Sequence, residues 1–250
     1  MTLPHCLAPC LFAVLLAAGG SARAAVDVGA GSRIDFGDAR ADLGCGDLNV
    51  GGSASVGAAQ VGGIDSVVVS TGATLAGGSG SLALSGDFAI AGGFDPGSGG
   101  VAIGDGCGNT TSLLSGSQRF SRLAVTTATA KRLTLSAGAT TRVTPGPLTL
   151  AGAPGRLLQI RSTAAGQPAF IDLAGSQAVS YVDVADNHAI GATLAPGVPA
   201  ATHSVDSGNV RNWFDFLTAI PTLSLPAMVG LALLLGGIAV RTPRRLPARA

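Results

Sequence analysis

Apolar and small residues alternate along most of this chain in short bursts. Leu82-Ala83-Leu84, Phe88-Ala89-Ile90 and Val101-Ala102-Ile103 pair large apolar positions with small ones. Leu133-Thr134-Leu135, Leu148-Thr149-Leu150, Leu158-Gln159-Ile160, Ile171-Asp172-Leu173 and Tyr181-Val182-Asp183-Val184 repeat the device with polar centres. Ser66-Val67-Val68-Val69-Ser70 is a β-branched run. Gly, Ser, Asn, Asp and Pro bound each burst. Alternation with a period of two between turn residues is the signature of strands, and over most of the body Gly or Pro recurs too often for a helical period to be kept. The pattern predicts an all-β body over 25–216.

Two architectures satisfy that pattern. In a right-handed parallel β-helix, or β-solenoid, coils of about twenty residues stack and bury small aliphatic side chains in a narrow core. In a β-sandwich two sheets pack face to face. Strands this short, few aromatics and many Ala, Val and Leu favour the solenoid, because a sandwich draws on longer strands and bulkier anchors. The sandwich is the alternative expectation.

The two ends break the pattern. Residues 11–18 form an unbroken apolar run, too short to span a bilayer and suited to the h-region of a secretory signal. Ala22-Arg23-Ala24 follows as a small-x-small cleavage site, so residues 1–24 are predicted to be removed between Ala24 and Ala25. At the other end, 217–240 carries no charged residue and 225–240 is almost wholly apolar. This predicts a single transmembrane helix over 219–240. Arg241, Arg244, Arg245 and Arg249 follow with no acid among them. Positive charge beside an apolar span stays on the cytoplasmic side, so the body is expected outside and the end of the chain inside.

Composition sharpens the picture. The chain has 250 residues, 38 of them Gly, with 12% charged and 4% aromatic residues. All 14 acidic residues are Asp, and Lys131 is the sole lysine. Near-absence of the helix formers Glu and Lys beside abundant Gly argues against a helical protein. A net charge of +1 excludes a nucleic-acid binder that relies on bulk electrostatics. Cys6 and Cys10 lie in the predicted signal, which leaves Cys45 and Cys107, each between glycines. In an oxidising compartment two such cysteines are expected to form a disulfide. A two-cysteine metal site is the weaker alternative, since zinc takes four ligands and His188 and His203 lie far along the chain.

Ile220-Pro221-Thr222-Leu223-Ser224, an apolar helix and a terminal Arg cluster together resemble the IPTL-CTERM sorting tail of Gram-negative bacteria, a relative of the PEP-CTERM class. After Ser224 this chain continues Leu225-Pro226-Ala227 where the family has Glu-Trp-Gly. The resemblance covers roughly the last thirty residues. It implies sorting or anchoring at the cell envelope, with an exosortase-like enzyme as partner and the membrane as the site of capture. The loosely repeated body, with Ser204-Val205-Asp206-Ser207-Gly208-Asn209 and Asn212-Trp213 near its end, is similar to adhesin-like β-helical passengers. That likeness implies a structural, adhesive or matrix role, with an extracellular polysaccharide as a candidate ligand.

Candidate chemistry is sparse. Nine Asp lie between Asp27 and Asp105, whereas seven basic residues and no acid lie between Arg119 and Arg161. Such segregation reads either as solvated turns on different coils or as a basic band facing an acidic surface. Gly104-Asp105-Gly106 and Gly92-Gly93-Phe94-Asp95 suggest calcium loops, but neither the full nonapeptide nor the EF-hand spacing is present, and Asp-Gly turn chemistry accounts for them. Asp183, Asp186 and His188 form the best polar cluster, with Asp186-Asn187 reading as a turn pair. Asp172, Asp183 and Asp186 on neighbouring coils would be the carboxylates of a carbohydrate-active hydrolase or lyase, the rival function. No Gly-x-Ser-x-Gly elbow is present, and Lys131 lacks a phosphate-loop context. No catalytic residue, metal or cofactor is assigned.

Overall fold

The computed structural model describes residues 25–214. Residues 1–24, with Ala24 of the cleavage site, lie outside the described residues. So do the predicted transmembrane segment 219–240, the motif Ile220, Pro221, Thr222, Leu223 and Ser224, and the cluster Arg241, Arg244, Arg245 and Arg249.

The body is a parallel β-solenoid of about 9 turns, and the sandwich alternative falls. Every named strand pairs in parallel with a strand of the neighbouring coil, which a sandwich of antiparallel hairpins would not show. Among the described residues the one helical turn is a 3-10 helix at Pro199–Thr202.

Each coil runs over three faces. Face one carries Ser81–Leu84, Gly100–Ile103, Leu123–Thr126, Leu148–Ala151 and Gln177–Ser180. Face two carries Phe88–Ile90, Thr111–Leu114, Arg132–Leu135, Leu158–Ser162, Val182–Val184 and Val205–Asp206. Two long strands, Arg40–Val50 and Gln60–Val69, bend round the corner between these faces and fuse them into a 14-stranded sheet. Register shifts between Asp42 and Leu48 mark the bend.

Face three is split into a 4-stranded and a 5-stranded sheet. The break falls between Gly93–Asp95 and Gln118–Phe120. Phe94, Phe88 and Phe120 fill it, with ring centroids 5.1, 5.5 and 5.7 Å apart. Aromatic clustering of this kind adds to simple area burial.

Alternation of side chains places one member of each pair inside. On face one Val61, Leu82, Val101, Leu123 and Leu148 stack in register, all buried. On face two Leu48, Val67, Phe88, Leu114 and Leu135 do the same. Each such side chain contributes roughly 1.5–3 kcal/mol of transfer free energy. The corner between faces three and one is built from stacked glycines. Gly57, Gly78 and Gly97 have φ of +64°, +61° and +56°. A Cβ on each would lie only 2.1–2.4 Å from the carbonyl oxygen of the glycine one coil below. Only glycine combines the left-handed backbone with that close approach.

Tyr181 departs from its expected place as the first residue of a strand. Its φ is +53° and it sits at the corner preceding Val182–Val184. Asn187 also departs from the turn reading. It begins the strand Asn187–Ala189 and is fully buried. Its Oδ1 accepts a hydrogen bond from Trp213 Nε1 at 3.0 Å, while its Nδ2 has no partner among the described residues.

Candidate functional site

The corner joining faces one and two concentrates the unusual chemistry of the body. Cys45 and Cys107 are bonded, with their Cα atoms 5.4 Å apart. Both residues hold left-handed backbones, φ +65° and +48°, as do Gly44 and Gly108 beside them. The flanking glycines let the chain bulge outward there, as expected of tight turns. The bridge reaches across the corners at 63–66 and 85–87, which belong to the coils between. On the face-one side a cleft of about 480 Å³ runs past it, lined by Asp42, Gly63, Ala83, Ser85, Asp105 and Thr126 among others.

Behind the bridge lies a buried polar cluster. Lys131 is fully buried, which is rare for a lysine without partners. Its Nζ donates to the backbone carbonyl of Ser85 at 2.5 Å and to that of Asn109 at 3.0 Å. Burial pushes its amine below the ordinary lysine range, opposed by the charges of Asp105, then Asp87, then Asp65. The carboxamide Nδ2 of Asn109 donates to Asp65 Oδ1 and lies 3.5 Å from Ser85 Oγ. The Ser112 hydroxyl donates to the Ser85 carbonyl at 3.1 Å.

Carboxylates on this corner also tie the coils together. Asp47 accepts from Ser66 N–H at 3.1 Å, and Asp87 from Leu113 N–H at 2.8 Å. Asp105 accepts from the Thr127 hydroxyl at 2.7 Å and from Ala128 N–H at 2.6 Å. Desolvation would raise the Asp105 carboxyl. The hydrogen bonds from Thr127, Ala128 and Thr129, with the charge of Lys131, outweigh it and hold the group below its usual value.

The structure separates the residues that a hydrolytic site would need. Asp172 lies on face three and bonds Arg142 at 2.7 Å. Asp183 lies on face two and bonds Arg161 at 2.6 Å and the Ser207 hydroxyl at 2.6 Å. Asp186 stands at the next corner and accepts from Asn209 Nδ2 at 2.6 Å. That bond leads the causes holding its carboxyl below the usual range. His188 lies on face three, edge-on to Phe170 at 5.8 Å, with Asn209 Oδ1 3.3 Å from its Nε2. His203 stacks on Tyr181 at 4.8 Å. The cluster predicted around Asp183, Asp186 and His188 is therefore divided between faces.

Of the two candidate calcium loops, one holds the face-three strand Gly93–Asp95, and Asp105 of the other bonds Thr127 and Ala128 of the next coil. Asp95 Oδ1 accepts from Gly97 N–H at 3.0 Å. Among the described residues no group of three or more His, Cys, Asp or Glu side chains is placed to hold a metal ion. The basic band is dispersed. Arg119 and Arg142 lie on face three, Arg132 and Arg161 on face two, Arg122 and Arg156 at corners, and Lys131 inside. The buried Lys131 cluster was missed by sequence reasoning. Its one visible signal was a single lysine in a chain otherwise cationic through Arg.

Fold and site together define a disulfide-strapped parallel β-solenoid. Compared with protein-family models, curated proteins and solved structures, the chain has no significant match.

Proposed function

We propose that this protein is an exported, envelope-associated solenoid with a structural, adhesive or matrix role, held or sorted through its C-terminal tail. The Cys45–Cys107 bridge carries the reading. Disulfides persist in oxidising compartments outside the cytosol, and the bridge stands in a chain whose first 24 residues read as a cleavable signal. In this reading the coil is right-handed and the mature body begins at Ala25. The 219–240 segment crosses the inner membrane, and Arg241, Arg244, Arg245 and Arg249 hold its end inside. An exosortase-like enzyme reads Ile220 to Ser224, and the body meets extracellular polysaccharide.

Each of the carboxylates that the carbohydrate-active alternative would use is engaged by a side-chain partner: Asp172 by Arg142, Asp183 by Arg161 and Ser207, Asp186 by Asn209. That supports the non-enzymatic reading over the rival.

The test is cell fractionation with N-terminal sequencing and thiol trapping. The expected outcome is an envelope or extracellular form that starts at Ala25 and has no free thiol. A cytosolic protein that starts at Met1 with alkylatable Cys45 and Cys107 would overturn the proposal. Replacing Pro221 and Thr222 should leave membrane insertion intact and block processing.

A further inference from the structure

The corner between faces one and two brings together a buried nucleophile, a half-buried electrophile and a buried proton carrier. Lys131 Nζ is 3.0 Å from the main-chain oxygen of Asn109, which brings the amine to the residue whose carboxamide is the electrophile. The Asn109 carboxamide is in contact with Asp65 through its Nδ2. Lys131 is fully buried and Asp65 nearly so, at 9% exposure.

We propose that Lys131 and Asn109 become joined by an intramolecular isopeptide bond, formed between Nζ and the side-chain Cγ, with Asp65 carrying the protons. The Lys131 ammonium passes one proton to Asp65 and becomes a neutral amine. The Nζ lone pair attacks Asn109 Cγ. Asp65 delivers its proton to Nδ2 and takes a second one from the attacking nitrogen. The Cγ–Nδ2 bond breaks, ammonia leaves and an amide remains. Nothing is oxidised or reduced, and no co-reactant is required.

Three features of the cluster favour the step. Burial lowers the amine's proton affinity, which populates the nucleophilic form. The Asn109 carboxamide is already held by Asp65 and Ser85, so the ordering left to the step is the turn of Nζ from the carbonyls to Cγ. Ser112 donates to the Ser85 carbonyl, and that carbonyl accepts from Nζ, which holds the amine beside Asn109. The product would be a covalent rung between successive coils, 22 residues apart in sequence. It would stand behind the Cys45–Cys107 strap and persist where that strap is reduced.

The test is a tryptic map of the full-length protein purified from producing cells, after reduction and alkylation. Trypsin cuts after Lys131 only if Nζ is a free amine. The expected result is a branched species joining the peptide that contains Asn109 to the one that contains Lys131. Its mass should be that of the two peptides linked as an amide, one ammonia lighter than their sum. Two separate peptides, with cleavage after Lys131, overturn the proposal on wild-type protein alone. Asn109→Ala and Asp65→Asn, each checked for retention of the Cys45–Cys107 bridge, should yield only separate peptides. A full yield of the branched species from the folded Asp65→Asn variant would remove Asp65 from the chemistry.

Discussion

Cys45 and Cys107 are bonded across a sequence separation of 62 residues, and their Cα atoms stand 5.4 Å apart although other coils pass between their own. In a solenoid each coil ordinarily contacts only its neighbours, so cooperativity is local. This bridge ties the start of the body to its middle and leaves the later coils to hydrogen bonds and stacking.

Cutting the strap should therefore weaken the first coils most. Closing a loop of this length is worth about 4 kcal/mol in the chain-entropy model. The Cys45→Ser, Cys107→Ser double variant is expected to lose stability of that order. Hydrogen exchange should show the loss concentrated before residue 110. Equal loosening at both ends of the body would contradict the assignment.

The glycine column makes a sharper distinction. Gly72 has φ +82° and nothing within 4 Å of an added Cβ, whereas at Gly78, φ +61°, a Cβ would lie 2.2 Å from the Gly57 oxygen. Gly72→Ala should cost only the left-handed penalty, about 1–2 kcal/mol. Gly78→Ala carries that penalty and a backbone clash as well, so its loss should reach roughly 3–5 kcal/mol. Urea denaturation of the two variants provides the comparison. Equal losses would mean that the stacking of coils at this corner is not tight.

Much of this fold was legible because the buried positions alternate, and the alternation survives in strands as short as Phe88–Ile90. The long strands Arg40–Val50 and Gln60–Val69 were not, since Gly44, Gly62 and Gly63 read as breaks. In the structure they are bends inside single strands, where the pairing register shifts and resumes beyond the corner. The coil period was hidden by loops of unequal length, such as 104–110 and 152–157. It shows once Phe36-Gly37, Val56-Gly57, Gly77-Gly78 and Pro96-Gly97 are aligned at the same corner. Lys131 was illegible for a different reason. Ala130-Lys131-Arg132 looks solvated, and only the fold reveals that the corner turns Lys131 inward.

Acid should destabilise the body through Asp105 and Asp186, whose carboxyls lie below the ordinary range when folded. Unfolded aspartates take up protons near a pH of about 4, before these two do in the folded chain. Their stabilisation is fully present above that pH and is lost as the pH falls through the lower folded values. The melting temperature should hold from neutrality to about pH 5 and fall below about pH 4. Asp105→Asn should lower it at neutral pH and flatten the acid limb. An acid limb of unchanged slope would show that Asp105 is not a source of it.

The two Arg–Asp pairs should differ in worth because their exposures differ. Arg142 bonds Asp172 from a side chain 56% exposed, on the outer surface of face three. Such pairs contribute about 0–1 kcal/mol, since water screens them and the long side chain loses freedom. Arg161 and Asp183 are 23% and 17% exposed. Arg161 Nη1 also donates to the Asp183 carbonyl at 2.6 Å, so its removal takes away two charge-assisted bonds and leaves a partly buried carboxylate with the Ser207 hydroxyl as its remaining side-chain partner among the described residues. Losing a charge-assisted partner of this kind costs about 1.5–3 kcal/mol. Arg142→Ala should therefore be nearly silent in urea denaturation. Arg161→Ala should lower the midpoint clearly, and salt should weaken the first pair more than the second. A double-mutant cycle with Asp183→Asn isolates the pair itself. A coupling near zero would assign the loss to the Arg161 bond on the Asp183 main-chain carbonyl instead of to the ion pair.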